Sequence, residues 1–447
     1  MNLNDTQNIY FVGIGGIGMS AIARYFKANG KNVAGYDKYS SDNSKDMEAS
    51  GIKIHYSDDL NLIDEEFKNK NETLVVYTPA IPKTHSELTF FNEQGFTVLK
   101  RSEILGMITK NSKCLAVSGT HGKTSTSSIL GHIMHECGTN ATSFLGGITE
   151  NYNSNLILGG IEVSVVEADE YDRSFLRLSP DIACINSMDP DHLDIYGNAE
   201  EFTATFRKFA SMVSDTLLVK KGLPIKGLTF GIDEGADYDA RNIHAGNGYF
   251  TFDIHTPQEV VKNIKISMPG RHNVLNTVAA FAMANIFGLK SDEIIKAISS
   301  FRGVKRRFSY AIKTENLVVI DDYAHHPTEL DVAIDAAKEM YPNKKILGVF
   351  QPHLFSRTQD FADDFAKSLE KVDELILLDI YPARELPIAG ITSKWLLDKV
   401  EHNNKQVLSK EKTLNYIENS DAEVILMLGA GDIGEMVKDV KKIKSVE

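Results

Sequence analysis

Cys114-Leu115-Ala116-Val117-Ser118-Gly119-Thr120-His121-Gly122-Lys123-Thr124 is the stretch from which the fold can be read outward. The apolar run 114–117 has the length and composition of a buried strand, and a helical pattern follows over residues 125–137. A strand, a glycine turn and a helix in that order make a phosphate site. Turn N–H groups and the positive helix end face the anion, Lys123 adds a point charge, and the Thr124 hydroxyl suits Mg²⁺. The sequence therefore predicts a nucleoside triphosphate held by Gly119, Thr120, His121, Gly122, Lys123 and Thr124. The general spacing, with another glycine five residues before Gly122, is not met, because Val117 stands there. The shortened Gly-x-x-Gly-Lys-Thr form narrows the field.

On both sides of this turn, β-rich runs alternate with helical patterns, as βαβ units with parallel sheets require. The expected class is α/β. A strand over 9–12 leads through Gly13-Ile14-Gly15-Gly16-Ile17-Gly18 into a helix over 19–29, then a strand over 33–36 that stops at Asp37. Further strands are expected at 74–77, 163–167, 182–186, 317–320, 346–350, 374–378 and 424–428, with irregular sheet over 222–248. A helix enters after Pro269-Gly270 and runs to Asn285, and another covers 292–300. Joints near 107 and 305 give three α/β domains, 1–107, 108–305 and 306–447.

The 447 residues are 42% hydrophobic and 24% charged, ordinary values for a soluble globular enzyme. A formal net charge of -13, from 48 basic and 61 acidic side chains, disfavours nucleic acid and anionic membranes as partners. Cys114, Cys137 and Cys184 are too few, and too apolar in setting, for a disulfide framework or a zinc site; they read as buried small hydrophobes in a reducing compartment. The polar residues 1–8 lack the features of a signal peptide and no run reaches membrane-helix length, so a cytoplasmic location is expected.

Several polar clusters follow the expected strands. Gly13, Gly15 and Gly18 meet the G-x-G-x-x-G pattern, with Gly16 inside it and Asp37 placed for a ribose diol. That chemistry asks for a pyrophosphate and a diol, which NAD and a UDP-sugar both offer; a tight turn with no ligand is the plain alternative. Glu167 ends a strand and can reach Mg²⁺ beside Thr124, or belong to a solvated acidic turn. Asp189-Pro190-Asp191-His192-Leu193-Asp194 suits a second hard cation, with His192 either a ligand or a hydrogen-bonded side chain. His272, Asn273 and Asn276 share one helix end, where they contact a purine edge or cap the helix. Asp321 to Pro327 and Gln351 to Arg357 follow strands, where open α/β sheets form their ligand crevice.

Taken in order, Gly13 to Ser20, Gly119 to Thr124, Glu167 to Glu170, Asp191 to Asp194, Gly270 to Asn273, Arg306-Arg307-Phe308, Asp322 to Pro327 and Gln351-Pro352-His353 resemble the Mur ligases of peptidoglycan synthesis over essentially the whole chain. Within that family the first and seventh motifs most resemble the alanine-adding branch. The resemblance implies a UDP-binding Rossmann-like N-terminal domain, a central ATPase domain and a Rossmann-like C-terminal domain. It also implies that ATP and Mg²⁺ serve to join L-alanine to the lactyl carboxylate of UDP-N-acetylmuramate through an acyl phosphate. By the same resemblance Gly13, Gly15, Gly16, Gly18 and Asp37 hold the UDP-sugar, and Lys123 holds the β/γ-phosphates. Thr124 and Glu167 hold one Mg²⁺, and His192 a second. His272, Asn273 and Asn276 contact adenine, with Arg307 and Asp322 near the nucleotide. Tyr323, His325 and Arg357 face the alanine, Arg357 pairing with its carboxylate. Water, His325 and substrate phosphate oxygens remain open as the base.

Two positions depart from the family pattern. Phe206 stands where several sibling ligases have a lysine, and Leu354 where many alanine ligases have an arginine. Within the family, the rival is a recycling ligase that attaches a whole peptide to the same sugar nucleotide. Outside it, an NAD-dependent oxidoreductase leaves the phosphate turn and Glu167 unexplained, and a regulatory protein without chemistry leaves Lys123, Glu167 and His192 unexplained.

Overall fold

A computed structural model describes residues 3, 6–190, 193–246, 249–383 and 385–444. It contains two compact units, Met1–Arg241 with Ile254–Lys262 and Leu275–Phe301, and Asn242–Asp253 with Asn263–Val274 and Arg302–Glu447.

In the first unit, β1 (Asn8–Val12), β2 (Asn32–Tyr36), β3 (Lys53–His55), β4 (Thr73–Tyr77) and β5 (Thr97–Lys100) form a parallel sheet ordered β3-β2-β1-β4-β5. Ile9 and Phe11 of β1 enter one apolar core and Tyr10 and Val12 another. Both faces are covered, so the strand is apolar throughout rather than alternating. Strand order reverses between β1 and β4, and the crevice of such a sheet opens there, where Gly13 leaves β1.

The second sheet of this unit holds β6 (Lys113–Ser118), β7 (Ala141–Thr149), β8 (Ser154–Ile157), β9 (Val163–Glu167), β10 (Ile182–Ile185), β11 (Thr216–Lys220) and β12 (Leu228–Ile232). Their order is β12-β11-β10-β6-β9-β7-β8, with β6 parallel to β10 and β9 on its two sides. One apolar core runs from Ile9 and Phe11 through Cys114, Ala116 and Phe144 to Phe206, joining the two sheets. A buried polar seam adds to it. Asn155, 0% exposed, accepts from Arg24 Nη1 at 2.7 Å and donates to Ser20 Oγ at 2.9 Å and to the Ile17 carbonyl. Such a network is favourable only when every member is satisfied, which makes it specific about register.

Three longer strands follow, β13 (Tyr238–Gly246), β14 (Tyr249–His255) and β15 (Val260–Ile266), where the sequence reading had only irregular sheet up to residue 248. The second unit is built on β16 (Ser309–Lys313), β17 (Val318–Asp322), β18 (Ile346–Phe350), β19 (Glu374–Leu377), β20 (Lys405–Val407) and β21 (Val424–Leu428), ordered β16-β17-β21-β18-β19-β20. All pairs are parallel except the edge pair β16 with β17. Val318 and Ile320 face one core and Val319 the other, so the apolar run has the same cause as in β1.

The strands expected from sequence are present within a residue or two of their expected bounds. The hairpin β7–β8, the antiparallel edge β16 and the helix Ala199–Ser211 were not among the expectations. Cys114 and Cys184 are buried as expected, and burial pushes the Cys114 thiol up to about 12. Cys137 is only half-buried. Among the described residues no helix is long and apolar enough to cross a membrane.

Candidate active site

The phosphate turn leaves β6 and enters the helix Lys123–Glu136 through Gly122, whose φ of 78° lies in the left-handed region that favours glycine. A Cβ on Gly122 would also meet Asn276 Oδ1 at 2.5 Å and Asn186 Nδ2 at 2.9 Å. The turn is tied to the loop after β10: the His121 N–H donates to Ser187 Oγ at 2.8 Å, and Thr120 Oγ1 to the Asp189 carbonyl at 2.7 Å. Lys123 Nζ donates to the Gly119 carbonyl at 2.7 Å and lies 2.8 Å from Glu170 Oε2. Burial works against its charge, but the carboxylates of Glu170, Asp169 and Glu167 outweigh it and hold the ammonium above the ordinary lysine pKa.

Glu167 ends β9 beside this turn. The Thr124 hydroxyl lies 3.1 and 3.0 Å from its two carboxylate oxygens. A hydroxyl and a carboxylate are both hard oxygen donors, the set that Mg²⁺ prefers. The carboxylate has room because residue 146 of β7 is glycine: a Cβ there would come within 2.1 Å of Glu167 Oε2. His192, the expected second metal ligand, lies outside the described residues. Phe206, the residue that departs from the expected family pattern, is 0% exposed and packed at 5.2 Å from Phe175 and 5.0 Å from Phe202, so no charged group belongs at this place in the chain.

The other glycine turn of this unit follows β1. Gly13 has φ 91°, and its N–H and that of Ile14 donate to the Tyr36 carbonyl. The Gly15 N–H donates to Asp37 Oδ2 at 2.7 Å, and Gly16 is the N-cap of the helix Ile17–Ala28. Gly18 lies under Arg101, 2.6 Å from its Nη1 if a Cβ were added; Arg101 also pairs with Asp169 at 3.5 Å. Asp37 thus meets the turn itself, as an acceptor for its backbone.

In the second unit, Asp322 ends β17 and accepts from the Phe308 N–H and the Ala324 N–H, each at 2.7 Å. Burial pushes its carboxyl up to about 6 against the pull of Arg307. Burial, and then the charge of Arg307, push His272 down to about 4. The Asn273 side chain donates to the Pro269 carbonyl at 2.8 Å, which ties the helix start to the turn before it. His272 and Asn273 therefore fall in the unit of Arg307 and Asp322, whereas Asn276 accepts from Thr126 Oγ1 at 3.3 Å beside the phosphate turn of the first unit. Arg306, quoted in the same motif as Arg307, braces the backbone instead, its Nη2 donating to the carbonyls of Gly429 and Gly431 at 2.7 and 3.2 Å.

The Tyr323 ring lies 4.8 Å below the Arg306 guanidinium and 5.4 Å from the His325 ring. His325 Nδ1 lies 2.9 Å from the Tyr323 carbonyl and 3.2 Å from Glu329 Oε2. Burial lowers its pKa despite Glu329, and the nearby charges of Arg357 and Arg307 lower it further. Arg357 sits in the helix Phe355–Asp360, whose N-cap, Leu354, has φ 69°. A bulky residue in that region marks strain held by its surroundings, here by the Tyr381 carbonyl accepting the Leu354 N–H at 3.0 Å.

The sequence reading passed over Gly146, Asn186, Ser187 and Arg101 as site residues, and took Glu170 only as part of its motif. The glycine pair 146–147 inside a strand is a signal of close approach; the others carry none.

Three family models match the chain in order. They are "Mur ligase family, catalytic domain" over residues 8–113, "Mur ligase middle domain" over 117–284 and "Mur ligase, glutamate ligase domain" over 306–432. The chain belongs to the Mur ligase family. Curated relatives include the UDP-N-acetylmuramate--L-alanine ligases of Flavobacterium psychrophilum, 57% identical over 99% of both chains, and of Flavobacterium johnsoniae, 55% identical over 99% of both. Among solved structures, the UDP-N-acetylmuramate-alanine ligase of Thermotoga maritima superposes with a TM-score of 0.85 at 28% identity, covering 98% of this chain and 100% of that one. The α/β class and the three Mur ligase domains are thereby established.

Proposed function

We propose that this Mur ligase joins L-alanine to the lactyl carboxylate of UDP-N-acetylmuramate at the expense of ATP, supplying a cytoplasmic step of peptidoglycan precursor synthesis. The full-length relatives carry that activity in their names. The structural observation that carries the reading is Lys123, Thr124 and Glu167 gathered at the carboxyl ends of β6 and β9, behind a glycine turn. Domain limits at residues 107 and 305 remain our division of the chain.

Thr124 and Glu167 would hold Mg²⁺, with His192 toward a second ion. The metal would supply charge neutralisation between phosphate oxygens. Lys123 holds the β/γ-phosphates, and the turn 119–122 offers its N–H groups. A lactyl carboxylate oxygen bonds to the γ-phosphorus while the bond to the ADP oxygen breaks, leaving an acyl phosphate. The alanine nitrogen then attacks the acyl carbon, phosphate leaves, and the nitrogen gives up its proton. Positioning and electrostatics supply most of such catalysis.

Gly13, Gly15, Gly16, Gly18 and Asp37 take the UDP-sugar, Gly16 to Gly18 offering N–H groups at a helix start. His272, Asn273, Asn276, Arg307 and Asp322 serve the nucleotide. Tyr323, His325 and Arg357 face the amino acid, with Arg357 on its carboxylate. Burial holds the His325 pKa below its ordinary value, so a neutral imidazole stands among the candidate bases for the incoming ammonium, beside water and substrate phosphate oxygens.

With Mg-ATP, the purified protein should release phosphate only when UDP-N-acetylmuramate and L-alanine are both present. Turnover with a tripeptide in place of alanine, and not with alanine, would move the reading to the peptide-attaching recycling ligase, and NADH consumption would overturn it. Lys123→Ala should abolish turnover and leave UDP-sugar binding intact.

A further inference from the structure

An ammonium has three N–H donors and no acceptor. The ammonium of Lys123 lies within 3.3 Å of four protein oxygens on three residues: the Gly119 carbonyl at 2.7 Å, the Thr120 carbonyl at 3.3 Å, and Glu170 Oε1 and Oε2 at 3.0 and 2.8 Å. Its donors are therefore filled from within the chain. The pair is also enclosed: the Glu170 side chain is 2% exposed and that of Lys123 13%. Glu170 is fixed in place. Its carbonyl accepts the Tyr196 hydroxyl at 2.5 Å, and the next turn puts two successive non-glycine residues, Asp172 and Arg173, at φ 52° and 54°. The Arg173 guanidinium then lies 4.9 Å over the Tyr196 ring.

A phosphate oxygen arriving at Lys123 must displace one of these acceptors. The two carbonyls belong to the turn itself and are neutral. Glu170 carries a full negative charge in a buried place, so it is the acceptor that competes with an anion for the lysine and the one that a triphosphate repels.

We propose that Glu170 is a positioning residue that keeps Lys123 folded back on the phosphate turn and yields it to the terminal phosphates when nucleotide enters, thereby setting nucleotide affinity. This rests on Lys123 being the phosphate-binding cation of the proposed function. A carboxylate present only to neutralise a buried lysine predicts the opposite sign for its removal: the site loosens and nucleotide binds less well. A competing carboxylate predicts tighter binding together with slower turnover, because the lysine loses the partner that aims it.

The experiment is calorimetric titration of the full-length protein with ADP in excess Mg²⁺, which needs no turnover, alongside phosphate release under saturating substrates. Glu170→Gln should bind ADP ~10-fold more tightly than the parent chain while its kcat falls, since removing one nearby like charge from a partly buried anion site is an effect of that order. Glu170→Asp keeps the charge but draws it back by one methylene; it should bind ADP a few-fold more tightly, and it tests the same sign where the Gln variant does not fold. If the parent chain binds ADP and both variants bind it equally or more weakly, Glu170 has no such role. If the parent chain binds no ADP, or Lys123→Ala binds it as well as the parent, the phosphate reading of Lys123 itself fails.

Discussion

Gly146→Ala tests the metal-binding reading of Glu167 with the smallest possible change. The added Cβ would stand 2.1 Å from Glu167 Oε2, 2.6 Å from its Cδ and 2.7 Å from Oε1, whereas ordinary contact begins near 3.4 Å. The carboxylate must therefore retreat by roughly 1.3 Å, the difference between 3.4 and 2.1 Å. It is the far end of a flexible side chain, so it can move without unfolding β7, and φ at residue 146 is not among the positive values that alanine would resist. A misplacement of ~1 Å at a reacting centre costs about 100-fold in rate, or about 2.7 kcal/mol of barrier. Phosphate release should accordingly show kcat down by about two orders of magnitude and an activation curve displaced to higher Mg²⁺, with the circular dichroism spectrum unchanged. An alanine variant with the parent kcat and the parent Mg²⁺ dependence would refute the placement of the metal between Thr124 and Glu167.

Two further outcomes concern stability. Asn155→Leu removes one hydrogen bond each from Arg24, the Ile17 carbonyl and Ser20 in a buried seam, while Asn43 still meets Arg24 and Ser20, and the Ser20 hydroxyl still meets Ile17. A lost hydrogen bond costs about 1 kcal/mol, so the three together should cost the first unit about 3 kcal/mol, seen as a lower urea midpoint of its transition; an unchanged midpoint would show the seam to be dispensable. Glu87, 0% exposed, is pushed by burial up to about 7, partly countered by the Tyr10 hydroxyl. Its folded carboxyl keeps its proton to higher pH than the unfolded one, so its contribution is complete below pH 4.5 and is lost as pH rises through 7. Glu87→Gln should thus be near neutral at pH 5 and stabilising by up to about 3 kcal/mol at pH 8, and a pH-independent difference in urea denaturation would refute the assignment.

The parallel sheets were legible because buried strands between helices leave continuous apolar runs such as 114–117 and 424–428, and the glycine turns after β1 and β6 mark where those runs end. The hairpin β7–β8 was not, for a physical reason: Ala141–Thr149 mixes small and polar residues, and its Gly146 serves an approach to Glu167 rather than a core. Local sequence likewise could not separate Asn276 from His272 and Asn273. All three share a helix, but Asn276 meets the distant Thr126 and His272 feels the charge of Arg307, both set by tertiary neighbours, whereas Asn273 bonds the nearby Pro269 carbonyl. Glu170 lay in plain view three residues after Glu167, and which acid takes the lysine and which the threonine hydroxyl is decided by chain direction after β9, where residues 172 and 173 turn left-handed.

The two glycine turns of the first unit divide their work by how much of their backbone is already engaged. After β1, the N–H groups of Gly13, Ile14 and Gly15 are taken up by Tyr36 and Asp37, so an anion there meets chiefly the helix start at Gly16 to Gly18, with Arg101 over it. After β6, the His121 N–H is engaged by Ser187, and the anion site is completed by side chains, Lys123 and Thr124, each matched with an acid. The first arrangement offers mainly fixed backbone dipoles, with Arg101 in a looser pair with Asp169 at 3.5 Å. The second holds its cation in a carboxylate pair that a phosphate must break, which is the property expected of a turn whose ligand reacts rather than merely docks.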